Sequence, residues 1–451
     1  MRYESVLFIN FYYPESGYGE RLLYPPIGLG YLSEYLESFN IRSRILDMGT
    51  GKNMDSAEDF ISQYIDEFNP DLIAISLNSI CFLRSIEIIS NVHGLYPEIP
   101  IVVGGPNASS KNSELLKKYD FLDYVIVREG EKALYNLCSG KKLEDIAGLC
   151  WRQNSIVHQN PDIPSKNLSD YPFPKYKRFQ LDLYGNPDAI GILTSRGCPY
   201  KCIFCQQSSL LGKNWRGREP EDIVEEIRHW KAQGKKVIHI LDDNFGLNKQ
   251  RALKISELIV EEGLNDIEYV IVGGLRIDQT NKEILLALKN MGVQVIPFGV
   301  ESGSNKILKF IRKGITSEQS DSLISLATSM GFNVKLFFII GFPTETMQDV
   351  QMSFDLALKY PIASARFFNL VPYADTPLMR WLEENKVHFY YEYDEYMNNF
   401  KRFQRIPIFE SLKGMSLDEK LEALKLADEV VRIIEDRHKV LITKGLNESQ
   451  K

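Results

Sequence analysis

The stretch Ser195-Arg196-Gly197-Cys198-Pro199-Tyr200-Lys201-Cys202-Ile203-Phe204-Cys205 holds three of the chain's six cysteines and follows a β-rich run at 190–194. A loop after a strand lies at the strand's carboxyl end, the edge where α/β folds place their chemistry. Gaps of three and then two residues let one short loop wrap three corners of an iron-sulfur cube, whose iron matches soft thiolates. A structural zinc site takes four ligands, and no His or Cys follows within about 20 residues to supply the fourth. Three cysteines therefore leave one iron open, as a catalytic metal keeps a position for its ligand.

Working outward, β-rich runs at 190–194, 236–241, 269–273, 294–299, 334–340 and 365–370 alternate with amphipathic helical stretches. Six strands in β/α alternation predict a partial (β/α)6 barrel over 186–385. Beyond it the chain is aromatic and charged through 389–403, and then helical. Ser416-Leu417-Asp418-Glu419 reads as a capping box, and Leu417, Leu421, Leu424, Ala427, Val431 and Ile434 follow at helical spacing. This makes 386–451 a C-terminal helical extension.

Ahead of the barrel, runs at 6–10, 42–47, 72–76, 99–104 and 124–127, with helical stretches such as 27–39 and 82–95 between them, predict an open parallel sheet over 1–140. The fold class is α/β, with this Rossmann-like, flavodoxin-like sheet first. Residues 148–158 alternate like a hairpin, and Pro161, Pro164, Pro172 and Pro174 forbid regular structure after them, so 141–185 reads as a linker. Polar and small residues punctuate the strand ends: Asp47, Ser76 and Asn78, Gly104 and Gly105, then Gly130 and Glu131.

Sixty acidic against 53 basic residues, without a basic block, give no electrostatic argument for nucleic acid. The longest apolar runs fall far below the roughly 18 to 20 residues of a membrane-spanning helix. The amino terminus enters a strand without the features of a signal peptide, and the clustered cysteines do not suit a disulfide framework. Both point to the cytoplasm.

The pattern C-x3-C-x2-C, with Phe204 before the third cysteine, resembles that of the radical S-adenosylmethionine (SAM) enzymes. The resemblance implies a 4Fe-4S cluster on Cys198, Cys202 and Cys205 whose open iron chelates the amino and carboxylate groups of SAM. One-electron reduction, from an external donor such as flavodoxin or ferredoxin, then gives a 5'-deoxyadenosyl radical. Further motifs follow in the family's order. Asp242-Asp243-Asn244 ends the second barrel strand, where the family sets polar groups against the SAM amine. Glu301 and Ser302 end the fourth, in the ribose and methionine region. Gly341-Phe342-Pro343 ends the fifth and resembles the turn that backs adenine. Arg276, Lys306, Lys309 and Arg312 are candidate cations for the SAM carboxylate.

The amino-terminal sheet resembles the cobalamin-binding domain that precedes the barrel in one large radical SAM branch. That resemblance implies cobalamin contacts from Asp47, Ser76, Asn78, Gly104, Gly105, Gly130 and Glu131. Two departures stand out. The Asp-x-His-x-x-Gly motif that supplies an axial histidine elsewhere is absent, since His93 falls in a helical stretch, so cobalamin is expected to bind without a protein imidazole. The usual Gly-Glu-Gly-Glu appears as Arg128-Glu129-Gly130-Glu131, where Arg128 could crowd the site or pair with a phosphate of the nucleotide tail. The implied activity is C-methylation of a small-molecule or peptide substrate: one SAM methylates cobalamin, a second yields the radical, and the substrate radical takes the methyl group. Cyclisation or rearrangement, as in relatives of the anaerobic magnesium-protoporphyrin ester cyclase, is the alternative within the branch, and a non-catalytic cobalamin or SAM sensor is the alternative outside it. No catalytic side chain is singled out.

Overall fold

Strand β1 (Ser5–Asn10) is buried at all six positions, as a central strand covered on both faces must be. In the computed structural model, which describes residues 2–12, 21–51, 56–210, 212 and 214–448, it sits between β2 (Arg42–Asp47) and β3 (Leu72–Ser76). β4 (Ile101–Gly104) and β5 (Tyr124–Ile126) continue the parallel array beyond β3. β4 starts one residue after Pro100, which lacks the N–H a ladder needs. The order β2-β1-β3-β4-β5 reverses direction between β1 and β3, and such a switch point opens a crevice at the carboxyl edge.

Alternation along β1 divides the core in two. Leu7 and Ile9 pack with Ile61, Ile65, Phe82, Ile86 and Ile89 from the helices Ala57–Phe68 and Phe82–Leu95. Val6 and Phe8 face the other side, with Leu29 and Leu36 of Ile27–Glu37 and Leu134 and Leu137 of Glu131–Cys138.

The expected hairpin forms as β6 (Leu149–Gln153) and β7 (Ile156–Gln159), turned by Asn154 and Ser155, both at positive φ as a two-residue hairpin turn requires. It does not stand apart as the start of a linker. β6 pairs antiparallel with β5, Val125 opposite Cys150, and extends the sheet to seven strands. The proline-rich segment that follows holds only two short 3-10 turns, and its Tyr176 and Tyr184 are buried. Met1–Gly191, Ser209–Gly212 and Glu392–Lys401 form one compact unit; Ile192–Ser208, Lys213–Tyr391 and Arg402–Lys451 form the other. The segment Glu392–Lys401 thus groups with the sheet: its helix Tyr393–Asn398 buries Tyr396, Asp394 pairs with Lys111, and Asn398 accepts from the Leu83 N–H.

The barrel strands are β8 (Ala189–Ile192), β11 (Val237–Ile240), β12 (Glu268–Ile271), β13 (Val295–Glu301), β14 (Asn333–Ile340) and β15 (Ser364–Asn369). Between β8 and β11, β9 (Ser195–Arg196) and β10 (Arg216–Gly217) make a short antiparallel ladder around the cysteine loop. β8, β11 and β12 form one sheet, and β13, β14 and β15 another. Parallel bridges Tyr269–Val293 and Leu275–Phe298 join them side by side, giving the partial six-stranded barrel.

The last helix, Leu417–Glu448, begins at the expected capping box, with the Glu419 N–H on Ser416 Oγ and the Ser416 N–H on Glu419 Oε2. Its buried stripe is rotated from the expected one. Ala423, Leu424, Ala427, Val430 and Ile434 face inward with Lys420, while Leu417 and Leu421 are exposed. The reason is the Lys420 ammonium, which is inserted rather than solvated: it donates to Phe409 O (2.8 Å) over the Phe409 ring. Among the described residues no helix is long and apolar enough to cross a membrane.

Candidate active site

Gly197, at φ 89°, turns the chain from β9 into the cysteine loop, and its N–H donates to Asp243 Oδ2 (3.2 Å). The loop is pinned at its middle, where the Ile203 N–H donates to Ile311 O and the Leu378 N–H to Ile203 O. This holds Cys198, Cys202 and Cys205 half-buried, whereas Cys81, Cys138 and Cys150 lie in the core. The three loop thiols are electrostatic neighbours. Burial pushes the Cys205 thiol up to about 11, opposed by the Gln207 N–H and reinforced by Cys202, Cys198 and Glu301. Burial also raises Cys198, opposed by the Tyr200 N–H and Arg276.

Among the described residues no three His, Cys, Asp or Glu side chains are placed to share one metal ion. A cube carries one cysteine per iron and so spreads its ligands more widely than a single ion does. Three neighbouring soft donors on one anchored loop fit such a cluster.

Around the loop the strand ends divide into committed and uncommitted groups. Asp242 is fully buried; Oδ1 accepts from the Thr194 N–H and Oδ2 from the Thr194 and Ser195 hydroxyls, which ties the end of β11 to the chain leaving β8. Asp243 is only half-buried, and burial, opposed by the Gly197 N–H, pushes its carboxyl up to about 6. Asn244 is buried, and among the described residues neither of its amide atoms has a partner. Such a group is costly in a finished core and ordinary where a ligand completes it.

Glu301 ends β13 beside a bulge at φ 67°, a strained conformation for a residue other than glycine, and accepts from Lys313 Nζ (2.7 Å). Ser302 is spent on the turn, accepting from the Ser304 N–H. Lys306 pairs with Asp349, and Lys309 and Arg312 are exposed. Arg276 does reach the cysteines, with Nη1 3.8 Å from Cys202 Sγ. Lys313, which the sequence reading did not single out, is the cation that holds Glu301.

Gly341, at φ 107°, donates its N–H to Glu345 Oε2 (2.6 Å), and the Phe342 ring meets Phe204 edge-on at 5.9 Å. Pro343 is buried beside them. Burial pushes Glu345 up to about 8, opposed by the Gly341 and Phe342 N–H groups.

At the carboxyl edge of the first sheet, Asp47 accepts from Asn10 Nδ2 (2.8 Å), the Gly49 N–H (2.8 Å) and the Tyr184 hydroxyl (2.5 Å). Asn78 caps the turn Ser79–Cys81. Gly105 has φ 91°, and a Cβ there would lie 2.9 Å from Leu77 O, so the fold itself needs glycine. Gly104 is extended, and among the described residues a Cβ there meets only Ile126 O at 3.7 Å. Ser76 is half-buried next to it, whereas a Cβ on Gly130 would press on Leu32 and Glu131 is buried in the first turn of its helix. Arg128 pairs with Asp162 (2.9 Å). His93 lies in the helix Phe82–Leu95 against Phe121, and His158 stacks on Trp151; neither is at the strand-end loops.

Residues 21–138 match the B12 binding domain model and residues 192–357 the radical SAM superfamily model. An uncharacterized methyltransferase of Pyrococcus horikoshii, PH0819, is 34% identical over 374 residues, covering 80% of this chain and 79% of that protein. Cytidylyl-2-hydroxyethylphosphonate methyltransferase of Streptomyces wedmorensis is 27% identical, covering 79% and 77%. The fold resembles that of the radical SAM methyltransferase TsrM from Kitasatospora setae, solved with tryptophan substrate and a SAM analog, at a TM-score of 0.77 and 18% identity over 96% of this chain and 89% of that one. With the cysteine loop at the first barrel strand and the open parallel sheet ahead of it, these findings establish that the chain is an enzyme of the radical SAM superfamily and belongs to the cobalamin-binding methyltransferases within it.

Proposed function

We propose that the chain is a cobalamin-dependent C-methyltransferase acting on a small-molecule or peptide substrate, with electrons from an external donor such as flavodoxin or ferredoxin. The observation that carries this reading is the gathering of Cys198, Cys202 and Cys205, half-buried, on one anchored loop beside Asp243, Arg276 and Glu301. When bound, the 4Fe-4S cluster supplies the electron that splits SAM, and cobalamin supplies a carrier for the methyl group.

The protein's part is to hold and orient. Cys198, Cys202 and Cys205 would hold the cluster through their thiols. Asp243 accepts from the SAM amine, and the unpartnered amide of Asn244 completes its hydrogen bonds on the same ligand. Lys313 fixes the Glu301 carboxylate so that its remaining lone pairs accept from ribose hydroxyls. The Gly341–Pro343 turn, locked through Glu345, backs the adenine. Gly104 and Ser76 form the open part of the first sheet's edge and would hold cobalamin there.

Asp242 and Asp243 separate structural from ligand roles. Asp242→Ala strips an acceptor from one N–H and two hydroxyls in the core and should destabilise the chain by about 2 to 4 kcal/mol in denaturant melts. Asp243→Ala should change stability by less than about 1 kcal/mol and weaken SAM binding by about 1 to 3 kcal/mol. Equal SAM affinity in wild type and Asp243→Ala would return Asp243 to a turn-forming role. The activity itself is tested by reducing the reconstituted enzyme with SAM and measuring 5'-deoxyadenosine, which should form slowly without substrate.

A further inference from the structure

Arg276 is 9% exposed and leaves its strand-end loop as the residue capping the turn Ile277–Gln279. Its guanidinium is held on every side. Nε donates to Asp278 Oδ1 (2.9 Å) and Nη2 to Lys313 O (2.6 Å). The Tyr200 ring centroid lies 3.4 Å from the guanidinium carbon, and the Tyr200 hydroxyl donates to Asp278 Oδ2 (3.1 Å). These contacts suffice to fix the side chain, and the remaining nitrogen, Nη1, is directed at Cys202 Sγ (3.8 Å).

Cys198 and Cys205 each meet a backbone donor, from Tyr200 and Gln207. Cys202 meets a charged one. A guanidinium stays protonated at any working pH, and its planar fork keeps its orientation once two of its nitrogens are tied. Hydrogen bonds to cluster sulfurs and fixed nearby charge are the means by which a protein sets the potential of an iron-sulfur centre.

We propose that Arg276 is a positioning residue that raises the reduction potential of the cluster through the Cys202 sulfur. The inference rests on the cluster reading above. The cluster takes one electron from the external donor and gains one negative charge, which the Arg276 cation and its N–H group stabilise.

The test is a redox titration of the full-length chain, followed by the paramagnetic resonance of the reduced cluster, for wild type, Arg276→Gln and Arg276→Lys at matched iron and sulfide content. Arg276→Gln should lower the equilibrium constant for one-electron reduction about tenfold, a shift of about 59 mV to more negative potential. Arg276→Lys, which keeps the charge but not the fork, should fall between. Equal midpoints in wild type and Arg276→Gln at full loading would overturn the inference and leave the cluster reading intact. Loss of the cluster from both variants would also overturn it and assign Arg276 to holding the loop. A wild-type chain that takes up no cluster would overturn the functional reading, and this inference with it.

Discussion

Replacing any one of Cys198, Cys202 or Cys205 by Ala should abolish the brown 4Fe-4S chromophore of the anaerobically reconstituted protein and all SAM cleavage, while Ala at Cys81, Cys138 or Cys150 should leave both. The contrast follows from environment. The first three share an anchored loop and one another's electrostatic field. The other three are spent on packing: Cys81 and Cys150 belong to one core cluster of the sheet and Cys138 to the other. Burial pushes the Cys138 and Cys150 thiols up to about 12, so they stay protonated and inert. Iron and sulfide analysis with visible absorption reads the result. Zinc at the concentration of the protein, with no iron after anaerobic reconstitution, would sink the assignment.

Gly104→Leu should reduce cobalamin uptake at least about tenfold, or about 1.4 kcal/mol, with little change in melting behaviour. The position has extended backbone and open space where a side chain would start, so the protein accepts the substitution and a ligand on the strand-end edge does not. Gly105→Leu cannot serve, because it forces a branched residue to φ 91° against Leu77 O and damages the fold first. Gly94→Leu is the control for a substituted glycine away from the edge, since it lies in the helix Phe82–Leu95 with nothing within 4 Å of where a side chain would start. Cobalamin loading is read from absorption after gel filtration. Unchanged loading in Gly104→Leu would move the ligand away from this edge.

The α/β class, the parallel sheet ahead of the barrel and the capping box were legible because each is written in local periodicity or spacing. The cysteine loop was the most legible part, since its geometry is set within eleven residues. What the sequence could not reveal were partners far along the chain. Asp47 and Asp242 look alike as strand-end carboxylates, yet Asp47 is closed by Tyr184, 137 positions away, and Asp242 by Thr194, 48 positions away. Arg128 was visible as a departure, but its neutralisation by Asp162 depends on where the chain after the hairpin returns. The hairpin itself was readable, whereas its pairing with β5 is a tertiary fact. The last helix shows the same limit: an apolar count placed Leu417 and Leu421 inward, and a satisfied buried Lys420 rotated the stripe.

Under the proposed function, one chain uses SAM in two ways, as a source of the 5'-deoxyadenosyl radical and as the methyl donor to bound cobalamin. The most direct measurement is product analysis of the reduced enzyme, loaded with cluster and supplied with SAM, with and without cobalamin. With cobalamin both 5'-deoxyadenosine and S-adenosylhomocysteine should form, and without it only 5'-deoxyadenosine. A wild-type protein that binds no cobalamin under conditions that build the cluster, and makes 5'-deoxyadenosine alone in both mixtures, would contradict the methyltransferase reading and leave a cobalamin-independent radical reaction in its place.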